Sequence, residues 1–379
     1  MPTPLLVLLG ALLATYVAQM ILAAVGFARV RRRPVPEAPS PWPTVSVVVP
    51  ARNEADGIDA CLDSLRAVEY PSDRLEIIVV DDCSTDGTPE QVRARQPAGR
   101  AATAPVRLIE MAALEDAHGG RKPAAVARGV AAATGDVILT TDADCTVPPA
   151  WVRSMVQRCT PETPFVAGPV GYDHGDRFLP RLQALELIGL VAYGAGTIGV
   201  GLPTFCNSAN VAYRRDVVAA RETAPDGAAR DEMLLQYVAY DTDRTVAFNP
   251  DPEATVRTTP PDTLLGYLQQ QARWAHMGLR YPFPLPRALV VGLWAVHTAL
   301  FLACAAALAL PTWRDPALLL LLGKMGADAL LAVPAARHFG ARGLSRSAVP
   351  TELLLLVAVP VIGVLGTVGA VEWKGRPLD

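Results

Sequence analysis

Several common signatures of function are missing from this sequence of 379 residues. Its six cysteines stand singly, with no CxxC pair, so the sequence indicates neither a zinc site nor a redox centre, and we expect reduced cysteines that pack in the interior. The net charge of −3 gives no indication of a nucleic-acid partner. No GxxxxGK(S/T) loop is present and no GxGxxG turn stands in the right context, which argues against P-loop and dinucleotide-binding proteins.

Charged residues are also scarce, and the apolar ones are concentrated in a few long runs. With 51% hydrophobic and 19% charged residues and a mean hydropathy of +0.26, the chain is too apolar for an ordinary soluble enzyme of this size. Residues 5–27 form an uninterrupted apolar stretch, and three more such stretches follow between 287 and 371. Each reaches the length of about 20 residues that a membrane-spanning helix needs. We therefore predict one transmembrane helix within 1–28 and three within 287–371.

The arginines beside these stretches predict how the chain is oriented. No Lys or Arg precedes the first stretch, whereas four arginines follow it within 29–33, the reverse of a cleaved signal peptide. The basic linker 29–43 and the long segment 44–280 should therefore lie in the cytoplasm of a cell-membrane protein. The basic loop 337–346 is placed on the same side by the same count. This count leaves the tail 372–379 outside, whereas its own Lys374 and Arg376 favour the inside, so the side of the tail stays open.

The segment 44–280 alternates strands and helices. Strands are predicted at 45–49, 75–82, 106–111 and 136–142, and helices from about 56 to 68, from 123 to 133 and from 231 onward. Continuous apolar strands separated by helices indicate an α/β fold with a mostly parallel sheet covered on both faces. Such sheets bind ligands at the carboxyl ends of their strands. The polar residues expected at that edge are Asn53, Glu54, Asp81, Asp82, Asp142 and Asp144.

The stretch TTDADCTVP carries two of these acids, Asp142 and Asp144. A single carboxylate after a strand most often caps a turn, but several acids at one edge repel each other unless a cation offsets them. Two acids separated by one residue can point towards one divalent metal, Mg or Mn, whose other positions phosphate oxygens fill. The expected ligand is therefore a diphosphate.

An ordered series of motifs resembles glycosyltransferase family 2, whose members bind nucleotide sugars with a GT-A fold. The resemblance covers most of 45–275. Its motifs are VSVVVPARNE, IIVVDDCSTDGT, RKPAAVARGVAAATGD leading to TTDAD, NSANVAYRRDV, ARDEMLLQYV and the QxxRW pattern in QQARW.

The resemblance implies a role for individual residues. Those that hold the nucleoside would be Pro50, Ala51, Asn53, Glu54 and Asp82. Lys122 would lie near the nucleotide, and Asp144 would bind the metal while Asp142 assists at the metal or the ribose. The residues that close over the diphosphate and the acceptor would be Gln270, Arg273 and Trp274.

The chemistry of sugar transfer also calls for a base, because the acceptor hydroxyl loses a proton as it attacks. In the family an acidic pair precedes a Leu by a set spacing and its second acid is the base. Here Arg230 occupies the first position, so Asp231 is the match, and Glu232 lies close enough to compete. The alternative is that both acids only favour a helix N-terminus. The resemblance further implies inversion at the anomeric carbon, a metal acting as a Lewis acid and Arg273 adding a charge-assisted bond to the leaving diphosphate.

Two further segments bear on the acceptor. The apolar, glycine-broken segment near 178–200 and the mixed segment 262–277 suit helices at the membrane surface, where a lipid hydroxyl could enter; the alternative is that they only cover the sheet. One span before the domain, three after it and a VEWKGR tail resemble ceramide glucosyltransferases and related carotenoid or hopanoid lipid glycosyltransferases. PARNE and VVDDCSTDGT are instead the general family 2 forms, which leaves ceramide-like, carotenoid, hopanoid and polyprenyl acceptors open, with a UDP-sugar as the expected donor.

Two other functions compete with that of a lipid glycosyltransferase. A processive polysaccharide synthase uses the same site, but four spans are few for a polymer channel. An inactive membrane scaffold would have no reason to keep these acids.

Lys324 and Asp328 are four residues apart within an apolar stretch and so share a helix face. We expect a mutually neutralising pair that fixes helix packing rather than a functional site.

Overall fold

The computed structural model describes residues 3–96, 104–111, 122–217 and 231–368, together with the backbone of 372–373 and 376–377. Arg230, the residue expected at the first acidic position, lies outside the described residues. The chain divides into two compact units. The helical unit comprises Met1–Arg29, Tyr172–Thr204 and Pro260–Asp379, and the sheet unit comprises Val30–Gly171 and Phe205–Thr259.

The sheet unit is built on a mostly parallel sheet of seven strands in the order β3-β2-β1-β4-β7-β5-β8. Its strands are β1 Val45–Ala51, β2 Leu75–Asp81, β3 Val106–Glu110, β4 Val137–Thr140, β5 Phe165–Ala167, β7 Val211–Arg214 and β8 Val246–Phe248. Two further strands, β6 Val170–Tyr172 and β9 Val256–Thr258, pair with each other in a separate sheet. Strands β1 to β4 run parallel, whereas β7 is antiparallel to both β4 and β5. The predicted α/β class with a mostly parallel sheet is confirmed.

The helices that follow these strands explain the periodicity in the sequence. Those of the sheet unit are α2 Ile58–Arg66, α3 Thr88–Ala94, α4 Lys122–Ala132, α5 Trp151–Arg158 and α7 Asp231–Tyr240. Helix α2 buries Ile58, Cys61, Leu62 and Leu65, which recur at the spacing of one helix face. Strand β1 is buried along its whole length, as expected of a central parallel strand.

The boundaries of β1 and β4 differ most from the prediction, whereas β2 and β3 each end one residue earlier than predicted. Strand β1 continues through Pro50 to Ala51, because β4 pairs with β1 only as far as Val48 and Pro50 therefore has a strand on one side only. Strand β4 ends at Thr140, so Asp142 lies not in the strand but on the turn that follows it.

The helical unit contains long apolar helices and one shorter amphipathic helix. They are α1 Thr3–Arg32, α6 Phe178–Gly199, α8 Leu264–Gly278, α9 Pro284–Ala309, α10 Arg314–His338 and α11 Ala348–Val368. Among the described residues, five helices are long and apolar enough to cross a membrane, one more than predicted from the sequence. The additional one is α6, and 83% of its apolar window is buried, compared with 17–22% in the other four.

Close contacts inside the helical unit explain two sequence features. A Cβ on Gly196 would lie 2.2 Å from the carbonyl oxygen of Ala23, so bare glycines let the backbones of α6 and α1 touch. Lys324 is buried and its Nζ lies 2.8 Å from Asp328 Oδ2, but it also donates to Glu352 of α11. The predicted pair is therefore a triad that joins two helices.

Candidate active site

The loops after β1 and β2 are joined to each other at the carboxyl edge of the sheet. Asn53 has a φ of 50°, a left-handed conformation that asparagine adopts more readily than most residues. Its side-chain Oδ1 accepts a hydrogen bond from the Thr85 amide at 2.8 Å, and its own amide donates to Ser84 Oγ at 2.9 Å. The amide of Glu54 donates to Thr88 Oγ1 at 2.9 Å.

The same edge holds the remaining residues expected to bind the nucleoside. Asp82 is fully buried, and its amide donates to the carbonyl of Ala51 at 2.8 Å. Arg52 Nη1 donates to the carbonyl of Asp82 at 2.5 Å, which ties the two loops a second time. Pro50 is buried beside Ala51 at the end of β1. The fold thus brings all five predicted nucleoside-binding residues to one edge.

Asp142 and Asp144 lie on the turn after β4, close enough together to share a cation. Ligand atoms of these two residues and Cys145 all lie within 4.8 Å of one another. Asp142 is half-buried and Asp144 is exposed. Gly57 supports the turn, because a Cβ on it would lie 3.2 Å from the Asp144 Cα.

This donor set fits a hard divalent cation such as Mg or Mn, which prefers carboxylate oxygens. The Cys145 thiol donates to Asp144 Oδ1 at 3.5 Å. Burial, with smaller effects from Asp142 and Asp144, raises the pKa of Cys145 well above its usual value. Cys145 therefore remains a neutral thiol, and the ligands that the turn offers to a cation are the two carboxylates.

Lys122, the first residue of α4, makes an ion pair with the turn. Its Nζ lies 2.5 Å from Asp142 Oδ1 and donates to Ser208 Oγ at 3.2 Å. Burial lowers the pKa of Lys122, but the charge of Asp142 and smaller effects from Asp231 and Asp144 outweigh it, so that the pKa is raised and the ammonium stays charged. A lysine therefore already offsets part of the repulsion that the sequence argument assigned wholly to a cation or ligand.

Asp231 and Glu232 begin α7, and their surroundings differ. Asp231 is 3% exposed, and its Oδ2 lies 3.4 Å from Thr140 Oγ1 at the end of β4. The shorter contact of that hydroxyl is with the Ser208 carbonyl, to which it donates at 2.9 Å. Glu232 is half-buried beside Cys206, whose pKa is raised well above its usual value first by burial and then by Glu232 and Asp231. Of the two candidates for the base, Asp231 is the one that contacts β4.

The three residues of the QxxRW pattern lie on α8, in the helical unit. Gln270 Oε1 accepts a hydrogen bond from the Tyr172 hydroxyl at 2.7 Å, and Trp274 is 38% exposed. Arg273 is half-buried, and burial lowers its pKa while Tyr172 acts in the opposite direction. In the part of the chain that the structure describes, Arg273 forms no salt bridge with a carboxylate.

Sequence reasoning missed several residues that contact the predicted ones. They are Arg52, Thr140, Cys145, Tyr172 and Ser208. Arg52, Thr140, Cys145 and Ser208 lie inside or beside motifs already noted and could have been examined as neighbours. Ser208 reaches Lys122 because β7 is antiparallel to β4, so the residues before β7 lie at the edge where β4 ends. Nothing near Tyr172 in the sequence indicates its partner.

Comparison with protein families identifies this arrangement. The model of glycosyl transferase family 2 matches residues 46–220. The model of glycosyl transferase family group 2 matches residues 137–341, which is more than half of the chain. This chain belongs to the family 2 glycosyltransferases. The predicted resemblance is thereby confirmed.

Curated relatives of this glycosyltransferase match over part of their length. An N-acetylglucosaminyltransferase of Rhizobium meliloti is 31% identical over 269 residues, 66% of this chain and 59% of the relative. A β-monoglucosyldiacylglycerol synthase of Synechocystis is 33% identical over 132 residues, 34% of this chain and 24% of the relative. The chain thus spans less than two thirds of the length of these relatives.

A solved structure shares the fold over nearly the whole chain. It is a mannosyltransferase of Pyrobaculum calidifontis in complex with GDP-Man and Mn2+, with a TM-score of 0.58 and 23% identity. The match covers 95% of this chain and 99% of that structure. The likeness confirms the GT-A fold.

Proposed function

We propose that the protein transfers a sugar from a nucleotide sugar, with a UDP-sugar as the expected donor, to the hydroxyl of a lipid at the membrane surface. The observation that carries the proposal is the turn after β4, where Asp142 and Asp144 lie beside the Lys122 ammonium and on the edge that Asp231 contacts. A family 2 glycosyltransferase that keeps these carboxylates and this ammonium has the charged groups that cleavage of a nucleotide sugar requires.

In this proposal the charges of the site stabilise the departing diphosphate. A bound Mg or Mn ion supplies Lewis-acid stabilisation of the negative charge that grows on it. Asp144 would hold the ion, and Asp142, already paired with Lys122, would assist at the ion or the ribose. Lys122 and Arg273 contribute positive charge and charge-assisted hydrogen bonds. Pro50, Ala51, Asn53, Glu54 and Asp82 hold the nucleoside, and Gln270 and Trp274 bind the diphosphate and acceptor, as the family motifs imply.

Asp231 is the proposed base. The acceptor oxygen attacks the anomeric carbon, its proton passes to the Asp231 carboxylate, and the bond to the diphosphate breaks in the same step. A single displacement inverts the anomeric configuration. The Asp231 carboxylate lies at the end of β4, with its Oδ2 3.4 Å from Thr140 Oγ1.

The membrane helices support a lipid acceptor. Four of the five long apolar helices, α1, α9, α10 and α11, present largely exposed apolar surfaces that suit contact with lipid. Helix α6 is different, because it connects β5 to β7 by way of β6, and β5 and β7 pair in one sheet. A helix that crossed the bilayer once would separate these strands, so we propose four spans with α6 held on the side of the sheet. The name of the Synechocystis relative is that of a glycolipid synthase.

The experiment that tests the proposed function is release of nucleoside diphosphate by the detergent-purified protein, with a panel of nucleotide sugars and Mg or Mn. Extracted membrane lipids are added or left out, and the lipid products are separated by size. We expect lipid-stimulated release that falls at least about 100-fold in Asp144→Asn, because one carboxylate of the metal site loses its charge. Asp73→Asn makes the same chemical change at an exposed position before β2 and should leave release unchanged.

The outcomes separate the three functions. A single sugar on a lipid supports the proposal, whereas long saccharide products would indicate the polysaccharide synthase. Release that is unchanged in Asp144→Asn contradicts the metal-site assignment. No release with any donor from folded protein would favour the inactive scaffold.

A further inference from the structure

We propose that Tyr172 is a positioning residue for the transfer reaction, which it serves by fixing the carboxamide of Gln270. The inference rests on the proposed function, because it takes the QxxRW residues to act on the diphosphate and the acceptor. Tyr172 belongs to no motif of the sequence, and it lies 98 positions from Gln270 in the chain.

The contact determines which atoms of Gln270 face the reactants. The Tyr172 hydroxyl donates to Gln270 Oε1 at 2.7 Å, the usual length of an O–H···O hydrogen bond. With its oxygen engaged, the carboxamide presents its two Nε2 hydrogens as donors. Donors are the groups that an anionic diphosphate oxygen or a sugar oxygen requires, so a rotated carboxamide would present the wrong atom.

The same tyrosine also bears on the next turn of the helix. Arg273 lies three residues after Gln270, and Tyr172 opposes the lowering of its pKa that burial causes. In the part of the chain that is described, no carboxylate pairs with Arg273. Tyr172 is itself 4% exposed, so its surroundings hold the ring in place.

Other buried side chains also hold helix α8 in place. A loss of activity without a loss of stability would therefore indicate that Tyr172 positions Gln270 rather than merely packing the helix. Tyr267, one turn before Gln270, is fully buried against Glu186 of α6. Ala272 and Met277 are buried on the same helix. Removing the Tyr172 hydroxyl therefore leaves these anchors of the helix in place and removes the hydrogen bond to the Gln270 carboxamide.

Tyr193 provides a matched control for the test. It is also 4% exposed, it belongs to the same unit, and its hydroxyl likewise donates to a glutamine oxygen, Gln19 Oε1, at 3.3 Å. Tyr172→Phe and Tyr193→Phe therefore remove the same group from equally buried rings, but only the first affects a QxxRW side chain.

The experiment measures kcat and donor KM for the wild-type protein, both Phe variants, Gln270→Ala and the double variant Tyr172→Phe/Gln270→Ala, with thermal unfolding of each. We expect Tyr172→Phe to lower kcat about tenfold, the loss of one net hydrogen bond, with a much smaller change in donor KM. Tyr193→Phe should keep kcat. In the Gln270→Ala background the Tyr172 change should have no further effect, because no carboxamide remains to be oriented.

Three results would overturn the inference. They are an unchanged kcat in Tyr172→Phe, equal losses of kcat and stability in the two Phe variants, or an undiminished effect of Tyr172→Phe in the Gln270→Ala background. In each of these cases the proposed function would still stand, provided that the wild-type protein transfers sugar. Wild-type protein that turns over no donor contradicts the proposed function itself and this inference with it.

Discussion

At the scale of single residues, the acids of the site differ in exposure and in partners. Asp144 is exposed, Asp142 is paired with the Lys122 ammonium at 2.5 Å, and Asp231 is 3% exposed under the Thr140 hydroxyl. An exposed carboxylate can accept a metal, whereas a buried one with a fixed orientation suits proton transfer. These surroundings support the division of roles that we propose.

The choice between the two candidate bases leads to a prediction. Asp231→Asn should reduce kcat at least about 100-fold, because the amide cannot take the proton of the acceptor. Glu232→Gln makes the equivalent change one position along the same helix and should keep kcat within about threefold. Steady-state transfer rates with saturating donor and lipid measure both.

The reverse pattern, with activity lost in Glu232→Gln and kept in Asp231→Asn, would move the base to Glu232. Circular dichroism on each variant controls for the start of α7, where both acids also favour the helix N-terminus. If both acids served only that purpose, the two variants would lose stability and keep their turnover.

At the scale of elements, close helix contacts in the helical unit depend on the absence of a side chain. The backbones of α1 and α6 meet where Gly26 faces Gly196, and a Cβ on Gly26 would lie 1.9 Å from the Gly196 carbonyl oxygen. No rotamer change relieves a clash with backbone, so one of the helices would have to shift. Small residues at such positions are typical of tightly packed membrane helices.

Two alanine substitutions on α6 test this contact. Gly196→Ala should destabilise the protein by about 1–3 kcal/mol, the usual cost of overpacking. Gly189→Ala lies on the same helix, has no atom within 4 Å of its added Cβ, and should be neutral or stabilising by about 0.5–1 kcal/mol. Thermal unfolding in detergent compares the two.

Equal effects of these two substitutions would contradict the close approach of α1 and α6. A gain in stability from Gly196→Ala would do so most directly, since it would mean that the methyl group finds space.

The buried triad in the helical unit also belongs to this scale. Lys324 contacts Asp328 on its own helix and Glu352 on α11, and the Tyr16 hydroxyl of α1 donates to Asp328. Three helices therefore meet at one set of polar groups. Satisfied polar groups of this kind fix the relative positions of helices, because separating them would leave charges unpaired in an apolar medium.

At the scale of the whole molecule, the order of elements along the chain limits how it can cross a membrane. The chain leaves the sheet unit after Gly171 and returns at Phe205, having formed α6 in between. Because β5 and β7 pair with each other, both ends of this excursion lie on the side of the sheet. That this side is the cytoplasmic one stays a prediction from the arginines within 29–33 and 337–346.

Cysteine labelling in sealed membrane vesicles tests this layout. Single cysteines replace Asp176 before α6, Asp216 after it and Thr312 between α9 and α10, all of which are exposed, in a background without the six native cysteines. A membrane-impermeant maleimide should label Asp176→Cys and Asp216→Cys from the same side and Thr312→Cys from the other. Labelling of the first two from opposite sides would make α6 a span and contradict four spans.

Much of the fold followed from local patterns. β-branched runs marked β1, β2 and β4, and a helical spacing of apolar residues marked α2, because both depend only on which faces are buried. The acids after the strands were found because parallel strands end at one edge. Local patterns did not reveal the ion pair of Lys122 with Asp142 or the contact between Thr140 and Asp231.

The sequence by itself determined the family, the α/β class, the long apolar helices and the residues that the motifs name, since each is encoded in a short stretch. Only the tertiary structure decided which of those residues meet. Tyr172 and Gln270 are 98 positions apart, Lys122 and Ser208 are 86 apart, and Lys324 and Glu352 are 28 apart. Such pairs form where strand order and helix packing bring distant segments together, and no periodicity along the chain records that geometry.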